Sequence, residues 1–144
     1  MINKLVIGSD HGGLKLKKTV IEHLEQRGIK VEDVGTYTED SCHYPVFAKK
    51  VAQAVADKKY ELGILICGTG IGVSIAANKV RGIRAALCSD TYSAKMTRKH
   101  NNSNVLCLGE RVLGSGLALD IVDTWLDTEF EGGRHQIRIE MLED

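Results

Sequence analysis

The sequence lacks an excess of charge of either sign and any long hydrophobic run. Its 19 basic and 19 acidic residues give a formal net charge of zero, so no long-range field attracts a polyanion and a nucleic-acid partner is not expected. No apolar run approaches the roughly 20 residues that a membrane span needs. The first residues, MINKLVIGSD, hold too short an apolar stretch for a signal peptide. We therefore expect a cytoplasmic protein that does not associate with membranes.

Closely spaced cysteines are missing too. The four cysteines form neither a CxxC pair nor a Cys/His cluster at zinc spacing, which argues against a metal site and against disulfides and agrees with a reducing compartment. Cys88 and Cys107 each follow an apolar run, so we interpret them as small buried residues near strand ends. We interpret Cys42 as a loop residue. Cys67 stands in a different setting, directly before a glycine-rich segment.

Internal repeats, low-complexity tracts and Ser/Pro-rich linkers are absent as well. The 144 residues, 43% of them hydrophobic, suffice for one continuous core, so we predict a single domain over residues 1–144. Short apolar runs alternate with amphipathic segments. The runs KLVIG, KVEDVG, LGILIC, RAALC and NVLCLG predict five strands. The predicted helices cover Leu14–Arg27, Pro45 to about Lys58, Val73–Lys79, Thr91–His100 and Ser115–Leu126, with a last one near Arg138.

This alternation predicts an α/β fold with three layers. Strands that alternate with helices are typical of a parallel sheet, because parallel neighbours need crossover connections. These crossovers are right-handed, and we expect their helices to cover both faces of the sheet. We expect the strand order 2-1-3-4-5, which puts the loops after the first and third strands beside the switch point of the sheet. The small basic run Lys15, Lys17 and Lys18 is interpreted as the solvated face of the first helix.

Polar residues collect at the carboxyl ends of the predicted strands, where open parallel sheets bind ligands. The first strand ends in SDHGG, the third in CGTGIG, the fourth in SD and the fifth in GER. In the first of these segments, Asp10 and His11 lie beside two glycines, which favours a functional role over a simple capping role. We therefore expect the ligand at this edge of the sheet.

The segment ICGTGIG, residues 66–72, joins a thiol to three alternate glycines. Gly68, Gly70 and Gly72 can adopt positive φ and turn successive N–H groups toward one point at the start of a helix, which makes a nest for an anion. The spacing is neither a dinucleotide fingerprint nor a P-loop. A tight strand-to-helix turn without a ligand is the alternative. Cys67 beside this nest can act as a nucleophile or as a general base, and the nest suits an oxyanion forming next to the attacked atom.

Two further groups lie later in the chain. In RKHNNSN, His100 and Asn101 stand where a helix ends, either as a polar cap or as functional residues. In RHQIR, Arg134 and Arg138 are four residues apart and share a face if the stretch is helical. Two guanidinium groups on one face suit a phosphate, and a solvated helix face is the alternative.

Together, GSDHGG, ICGTGIG, KHNN, LGER and the late Arg-x3-Arg resemble the ribose-5-phosphate isomerase B family of sugar-phosphate isomerases, over nearly the whole chain. The resemblance implies a Rossmann-like domain, and a homodimer or tetramer whose active sites lie at the subunit interface near the C-terminal helix. It implies interconversion of an aldose phosphate and a ketose phosphate through a cis-enediolate, with no metal or organic cofactor. A second type in this family has glutamate where this chain has Val73, so this sequence resembles the thiol type.

The resemblance also implies residue roles. Cys67 becomes the general base, Asp10 and His100 open the furanose ring, and the N–H groups of the glycine loop hold the enediolate. Ribose 5-phosphate is the expected substrate; hexose 6-phosphates of the allose or galactose type, or a non-catalytic flavodoxin-like module that binds a phosphate or nucleotide, are the alternatives. The implied catalytic residues are Cys67, Thr69, His100 and Asp10, and the implied substrate-binding residues are His11, Gly68, Gly70, Ile71, Gly72, Asn101, Arg111, Arg134 and Arg138.

Overall fold

Strands and helices alternate along the chain in the computed structural model, which describes residues 2–143. The five predicted strands and six predicted helices are confirmed, with end points that differ by a few residues. The strands are β1 Lys4–Ser9, β2 Lys30–Asp33, β3 Gly63–Cys67, β4 Ala85–Leu87 and β5 Val105–Gly109. The helices are α1 Leu14–Gln26, α2 Tyr44–Ala56, α3 Ile71–Asn78, α4 Thr91–Asn101, α5 Ser115–Leu126 and α6 Arg134–Met141.

The sheet is parallel throughout, with strand order β2-β1-β3-β5-β4. The expected order 2-1-3-4-5 is therefore wrong at one end, because β5 inserts between β3 and β4. The reason lies in the composition of the two strands. β5 is buried along its whole length, whereas β4 has only three partly exposed residues, and a short strand with exposed positions suits a sheet edge.

Strand order decides on which face each helix packs. Since crossovers are right-handed, connections that run in opposite directions across the sheet place their helices on opposite faces. The connections from β2 to β3 and from β3 to β4 run one way and place α2 and α3 on one face. The connections from β1 to β2 and from β4 to β5 run the other way, and α1 and α4 pack on the opposite face with α5. With the expected order, α4 would have packed beside α3.

Each face of the sheet has its own core, because successive strand residues point to opposite sides. Beneath α1, α4 and α5, Trp125 is fully buried against the sheet. Beneath α2 and α3, the helices contribute small and β-branched side chains. The first core includes Leu5, Ile7, Ile64, Ile66, Leu106 and Leu108 from the sheet, and the second includes Val6, Leu65, Val105 and Cys107.

One basic residue of α1 departs from the sequence interpretation. Lys15 and Lys18 are exposed, but Lys17 is only 1% exposed, so its assignment to a solvated face is wrong. It lies three residues after Leu14 on the inward stripe of the helix. Its ammonium group pairs with Asp33 at 2.6 Å and donates to the carbonyl of Thr36, which satisfies the buried charge and ties the loop after β2 to α1.

None of the helices within residues 2–143 is long and apolar enough to cross a membrane.

Candidate active site

The loops after β1, β3 and β5 meet at the carboxyl edge of the sheet. β3 lies between the other two strands, with Ser9 of β1 opposite Ile66 and Gly109 of β5 opposite Cys67. From β1 the chain crosses to β2 on one side, whereas β3 lies on the other side of β1. The switch point expected between the loops after β1 and β3 is therefore confirmed. The loop after β4 lies at the outer edge, where Asp90 caps α4 by accepting from Ser93 N at 2.6 Å.

Cys67 is the last residue of β3 and is 6% exposed. Its Sγ accepts a hydrogen bond from the N–H of Gly70 at 3.2 Å, directly before α3 begins. The first N–H groups of a helix have no intrahelical partners and carry partial positive charge. The Gly70 N–H therefore points at the sulfur, directly before the first residue of α3.

The three glycines of the loop at residues 68–72 have different structural roles. Gly70 alone among them has positive φ, at 79°, so the expectation that all three supply this conformation is met at one position. At Gly72 a Cβ would lie 2.7 Å from the ring of Tyr44, and at Gly68 it would lie 3.3 Å from a guanidinium nitrogen of Arg111. These two glycines allow close approach by a neighbouring side chain. Thr69 Oγ1 accepts from Ile71 N at 3.2 Å.

Asp10 and His11 lie beside this loop, after β1. Asp10 is 8% exposed, and its carboxylate accepts from Gly12 N at 2.9 Å. His11 Nδ1 accepts from the backbone N–H of Cys42 at 3.2 Å, which places the imidazole proton on Nε2 in the neutral ring. Cys42 is indeed a loop residue, but its contact with His11 had no signal in the sequence because 31 residues separate the two.

The loop after β5 is clamped to the glycine loop. Arg111 N donates to the carbonyl of Gly68 at 3.0 Å, and Glu110 N donates to the carbonyl of Cys67 at 2.9 Å. Glu110 Oε1 in turn accepts from Leu16 N in the first turn of α1 at 2.7 Å. Sequence reasoning did not select Glu110, whose partner lies 94 residues away. These contacts bring the Arg111 guanidinium against Gly68.

His100 and Asn101 lie at the other end of the sheet. They end α4, which begins after the carboxyl end of β4 and returns to the start of β5. The side chain of Arg84, directly before β4, donates to the Asn101 carbonyl at 2.9 Å. Val105, the first residue of β5, pairs with the first residues of β3 and β4. His100 therefore lies near the amino edge of the sheet, opposite the edge that holds Cys67.

α6 packs beside this end of α4, and the two elements form a polar cluster. Glu131 N donates to the Lys99 carbonyl at 3.1 Å. The rings of His100 and His135 stack with centroids 4.2 Å apart and planes 14° apart. Burial lowers the pKa of His135, and the nearby positive charges of His100 and Arg134 act in the same direction. Sequence reasoning missed His135, although it stands inside the RHQIR segment, and Glu131.

The candidate residues thus form two groups within one chain. The carboxyl-edge group comprises Asp10, His11, Cys67, Gly68, Thr69, Gly70, Ile71, Gly72 and Arg111. The amino-edge group comprises His100, Asn101, Arg134 and Arg138.

The other buried thiols are poorly suited to chemistry. Cys88 and Cys107 are 2% and 0% exposed, which confirms their interpretation as buried residues. Burial, aided by Asp90, raises the pKa of Cys88 to about 11. Burial also raises the pKa of Cys107. Both groups stay protonated near neutral pH, so neither thiol is suited to act as a base.

A model of the family described as Ribose/Galactose Isomerase matches residues 5–142. The chain belongs to the ribose/galactose isomerase family. The ribose-5-phosphate isomerase B of Escherichia coli (strain K12) is 51% identical over 141 residues, which cover 98% of this chain and 95% of the relative. The D-erythrulose-4-phosphate isomerase of Pectobacterium atrosepticum is 48% identical over 139 residues, with coverage of 96% and 91%.

Solved structures in the ribose/galactose isomerase family have the same fold. The ribose-5-phosphate isomerase B of Clostridium thermocellum superposes with a TM-score of 0.96 at 56% identity, covering 97% of this chain and 95% of that one. The enzyme of Mycoplasma genitalium, solved with bound ribulose 5-phosphate, gives a TM-score of 0.93 at 47% identity, with coverage of 96% and 93%. The resemblance and the Rossmann-like α/β fold are confirmed, and membership makes this chain an isomerase.

Proposed function

We propose that this chain interconverts ribose 5-phosphate and ribulose 5-phosphate, with Cys67 as the general base. The thiolate takes the proton from C2 of the open-chain aldose. The electron pair of the broken C–H bond forms the C1=C2 double bond, and the carbonyl electron pair moves onto O1, which gives a cis-enediolate. The proton on O2 then passes to O1 as the C2=O bond forms, and the thiol, whose proton exchanges with solvent, delivers a proton to C1 to give the ketose. The hydrogen bond of 3.2 Å from Gly70 N to Cys67 Sγ carries this proposal, because it directs the sulfur toward the N-terminus of α3.

That helix N-terminus suits the charge that develops in the reaction. A substrate whose C2 lies at the sulfur has its oxygens beside the N–H groups of residues 68–72. Donors already aimed at an oxyanion are typically worth about 100- to 1000-fold in rate each. The Arg111 guanidinium, held against Gly68, adds a positive charge on the same side. Thr69, whose hydroxyl accepts from Ile71 N, is placed to assist proton transfer.

The resemblance assigns ring opening to His100, which its own chain does not bring to this edge. We propose that His100 protonates the ring oxygen while Asp10 assists at the anomeric hydroxyl. β3 rises about 3.3 Å per residue, so its ends at Gly63 and Cys67 lie about 13 Å apart, and α4 runs back over that length to His100. His100 of the same chain is therefore out of reach of Cys67. A site with both groups needs His100 from a second copy.

Exposed apolar side chains support such a pairing. Ile75 on α3 is 57% exposed and Tyr92 at the start of α4 is 71% exposed, near the carboxyl edge. On α6, Ile137 and Met141 are 63% and 66% exposed. A two-fold dimer that covers these side chains forms the same site twice and brings the carboxyl edge of each copy to α4 and α6 of the other. The C-terminal helix then lies at the interface.

The phosphate site follows from the same arrangement. Arg134 and Arg138 lie on α6, whose His135 stacks on His100, so they enter the site from the same copy as His100. His11 enters from the copy that supplies Cys67. Its Nδ1 is occupied by the N–H of Cys42, which leaves Nε2–H free to donate to a phosphate oxygen. Two guanidinium groups and one imidazole suit a phosphate dianion.

Substrate length is a second question, since one relative at 48% identity is a D-erythrulose-4-phosphate isomerase. Ribose 5-phosphate should be incubated with the protein in deuterium oxide and a metal chelator, while NMR follows both ketose formation and deuterium exchange at C2. We expect turnover without metal, and none with Cys67→Ala. Erythrulose 4-phosphate, allose 6-phosphate and galactose 6-phosphate run in parallel rank the substrates by kcat/KM. A higher value for any of these would overturn the assignment of ribose 5-phosphate.

A further inference from the structure

Two histidines and a carboxylate converge at the amino edge of the sheet. Glu131 Oε1 lies 3.4 Å from His135 Nε2 and 3.7 Å from His100 Nε2. The three potential ligand atoms all lie within 4.8 Å of one another. Two imidazoles with one carboxylate are a ligand set that zinc accepts in proteins, with a remaining position for another ligand.

His135 provides a separate indication of a ligand. Its side chain is 8% exposed, and its Nε2 has no hydrogen-bond partner among residues 2–143. The Glu131 oxygen is near it but not in hydrogen-bonding geometry. A buried polar atom without a partner costs free energy, and most such atoms in native proteins find a partner. This nitrogen points into the space shared with His100 and Glu131.

We propose that His100, Glu131 and His135 bind a divalent transition-metal ion, with Zn²⁺ as the natural candidate, and that the bound ion inhibits the isomerase. Imidazole ligands favour Zn²⁺ and its neighbours over Mg²⁺ and Ca²⁺, which prefer oxygen. Metal binding itself depends only on these three side chains. The inhibition rests on the proposed function, because it requires that His100 take part in ring opening.

The geometry needs only a small adjustment. Zn–N bonds of about 2.0–2.1 Å allow two ligand nitrogens to be at most about 4.2 Å apart. The lone pairs of the two stacked rings lie in nearly parallel planes, so one ring must tilt for both nitrogens to point at one ion. His100 and Glu131 are 42% and 44% exposed, whereas His135 is 8% exposed. The buried ring therefore anchors the ion, and the two exposed side chains close on it.

Direct binding is the first test. The full-length protein, stripped with a chelator and dialysed, is titrated with Zn²⁺ against a chromophoric chelator and with Co²⁺ by visible absorption. We expect one ion per chain and at least a tenfold rise in Kd for Glu131→Gln and for His135→Ala. His43→Ala, which removes an exposed imidazole at the start of α2, is the matched control and should bind as the wild type does. Glu131→Gln changes an exposed side chain, so it remains informative if His135→Ala does not fold.

The thiols need their own control, because a cysteine also binds zinc. Cys67→Ala should keep the metal affinity of the wild type. Any of three results would overturn the metal site: loss of zinc binding in Cys67→Ala, no saturable zinc binding in the wild type, or unchanged zinc affinity in Glu131→Gln.

Inhibition is measured separately. Zn²⁺ should slow turnover of ribose 5-phosphate at the concentrations that fill the site, a chelator should restore it, and Glu131→Gln should need at least tenfold more Zn²⁺. Saturable Zn²⁺ binding at these three residues with no loss of turnover would overturn the inhibition. It would also overturn the role of His100 in ring opening, but it would leave the metal site in place. Absence of turnover in the metal-free protein would instead contradict the proposed function.

Discussion

The carboxyl edge and the amino edge of the sheet differ in how they present chemistry. At the carboxyl edge the groups are a thiol, backbone N–H donors and Asp10, held by the ends of β1 and β3 and by hydrogen bonds between their loops. At the amino edge the groups are imidazoles and guanidiniums, carried by the last turn of α4 and by α6, with His100 42% exposed. The thiol and Asp10 of the first group are buried, whereas Arg134 and Arg138 of the second are exposed.

This difference shows what each edge lacks. Among the candidate residues, the carboxyl edge has a thiol and N–H donors, with one histidine and one arginine that suit a phosphate. The amino edge has two histidines and two arginines, but no thiol among its described residues. Each edge complements the other, and the sheet keeps them apart within one chain. In the proposed dimer, pairing of two copies would join them.

The largest effect is expected at the carboxyl edge, from Cys67→Ala. General-base catalysis contributes about 100- to 10,000-fold, so kcat/KM for ribose 5-phosphate should fall by that factor while circular dichroism stays unchanged. Cys107→Ala removes the same atom from a fully buried position on β5 and is the matched control. It should keep its activity and lose about 1 kcal/mol in free energy of unfolding. Near-normal turnover of folded Cys67→Ala would remove the thiol from the mechanism.

The buried and half-buried thiols should differ in their rates of alkylation. The pKa of Cys88 is raised from 9.0 to about 11, so its thiolate is scarce below that pH and gains population only as pH rises toward it. At pH 8 its alkylation by iodoacetamide should be at least about 100-fold slower in the folded than in the unfolded protein, from the pKa difference alone. Half-buried Cys42 should react in the folded protein. Peptide mass spectrometry resolves the sites, and rapid labelling of Cys88 in folded protein would contradict the burial argument.

At the amino edge, Arg138→Ala should raise KM for ribose 5-phosphate by about 10- to 100-fold, since a hydrogen bond between charged groups is worth about 1.5–3 kcal/mol. Turnover of unphosphorylated ribose, though poor, should change little. Arg81→Ala removes an exposed arginine of the loop after α3 and serves as control. Equal losses on ribose and ribose 5-phosphate would assign Arg138 to the fold or the interface.

The smallest effect, about fourfold below wild type, tests the joining of the two edges. Cys67→Ala and His100→Asn homodimers should both be inactive. When the two chains are unfolded and refolded together, half the dimers are mixed, and each mixed dimer has both lesions in one site and a native second site. About a quarter of wild-type activity should return, provided that chains mix at random. Mixed dimers detected by mass spectrometry without recovered activity would place both residues in one subunit's site.

Much of the carboxyl edge was predictable from the sequence. Residues 66–72 are contiguous, so the apolar run before Cys67 and the glycines after it indicate a strand, a turn and a helix N-terminus without knowledge of any distant contact. Asp10 and His11 follow another apolar run in the same way. Parallel strands bring such loops to one edge, and this made the neighbourhood of Asp10 and Cys67 predictable.

The supporting contacts were not predictable. Cys42 positions His11, Glu110 joins the loop after β5 to α1, and Lys17 is buried in a pair with Asp33. Each of these contacts joins residues at least 16 positions apart. Local pattern assigns Lys17 to a basic surface run, and only the rotation of α1 against the sheet shows that it points inward.

The sequence by itself determined the α/β class, the elements and the glycine loop beside Cys67, because these depend on local periodicity and on residues that are neighbours in the chain. The tertiary structure decided the strand order, and much follows from that order. The fully apolar β5 takes the buried place beside β3 and leaves β4 at the edge, so a right-handed crossover carries α4 to the face of α1 and α5. His100 and α6 go with α4 to that face, while the position of His100 at the edge opposite Cys67 follows from the return of α4 to the start of β5.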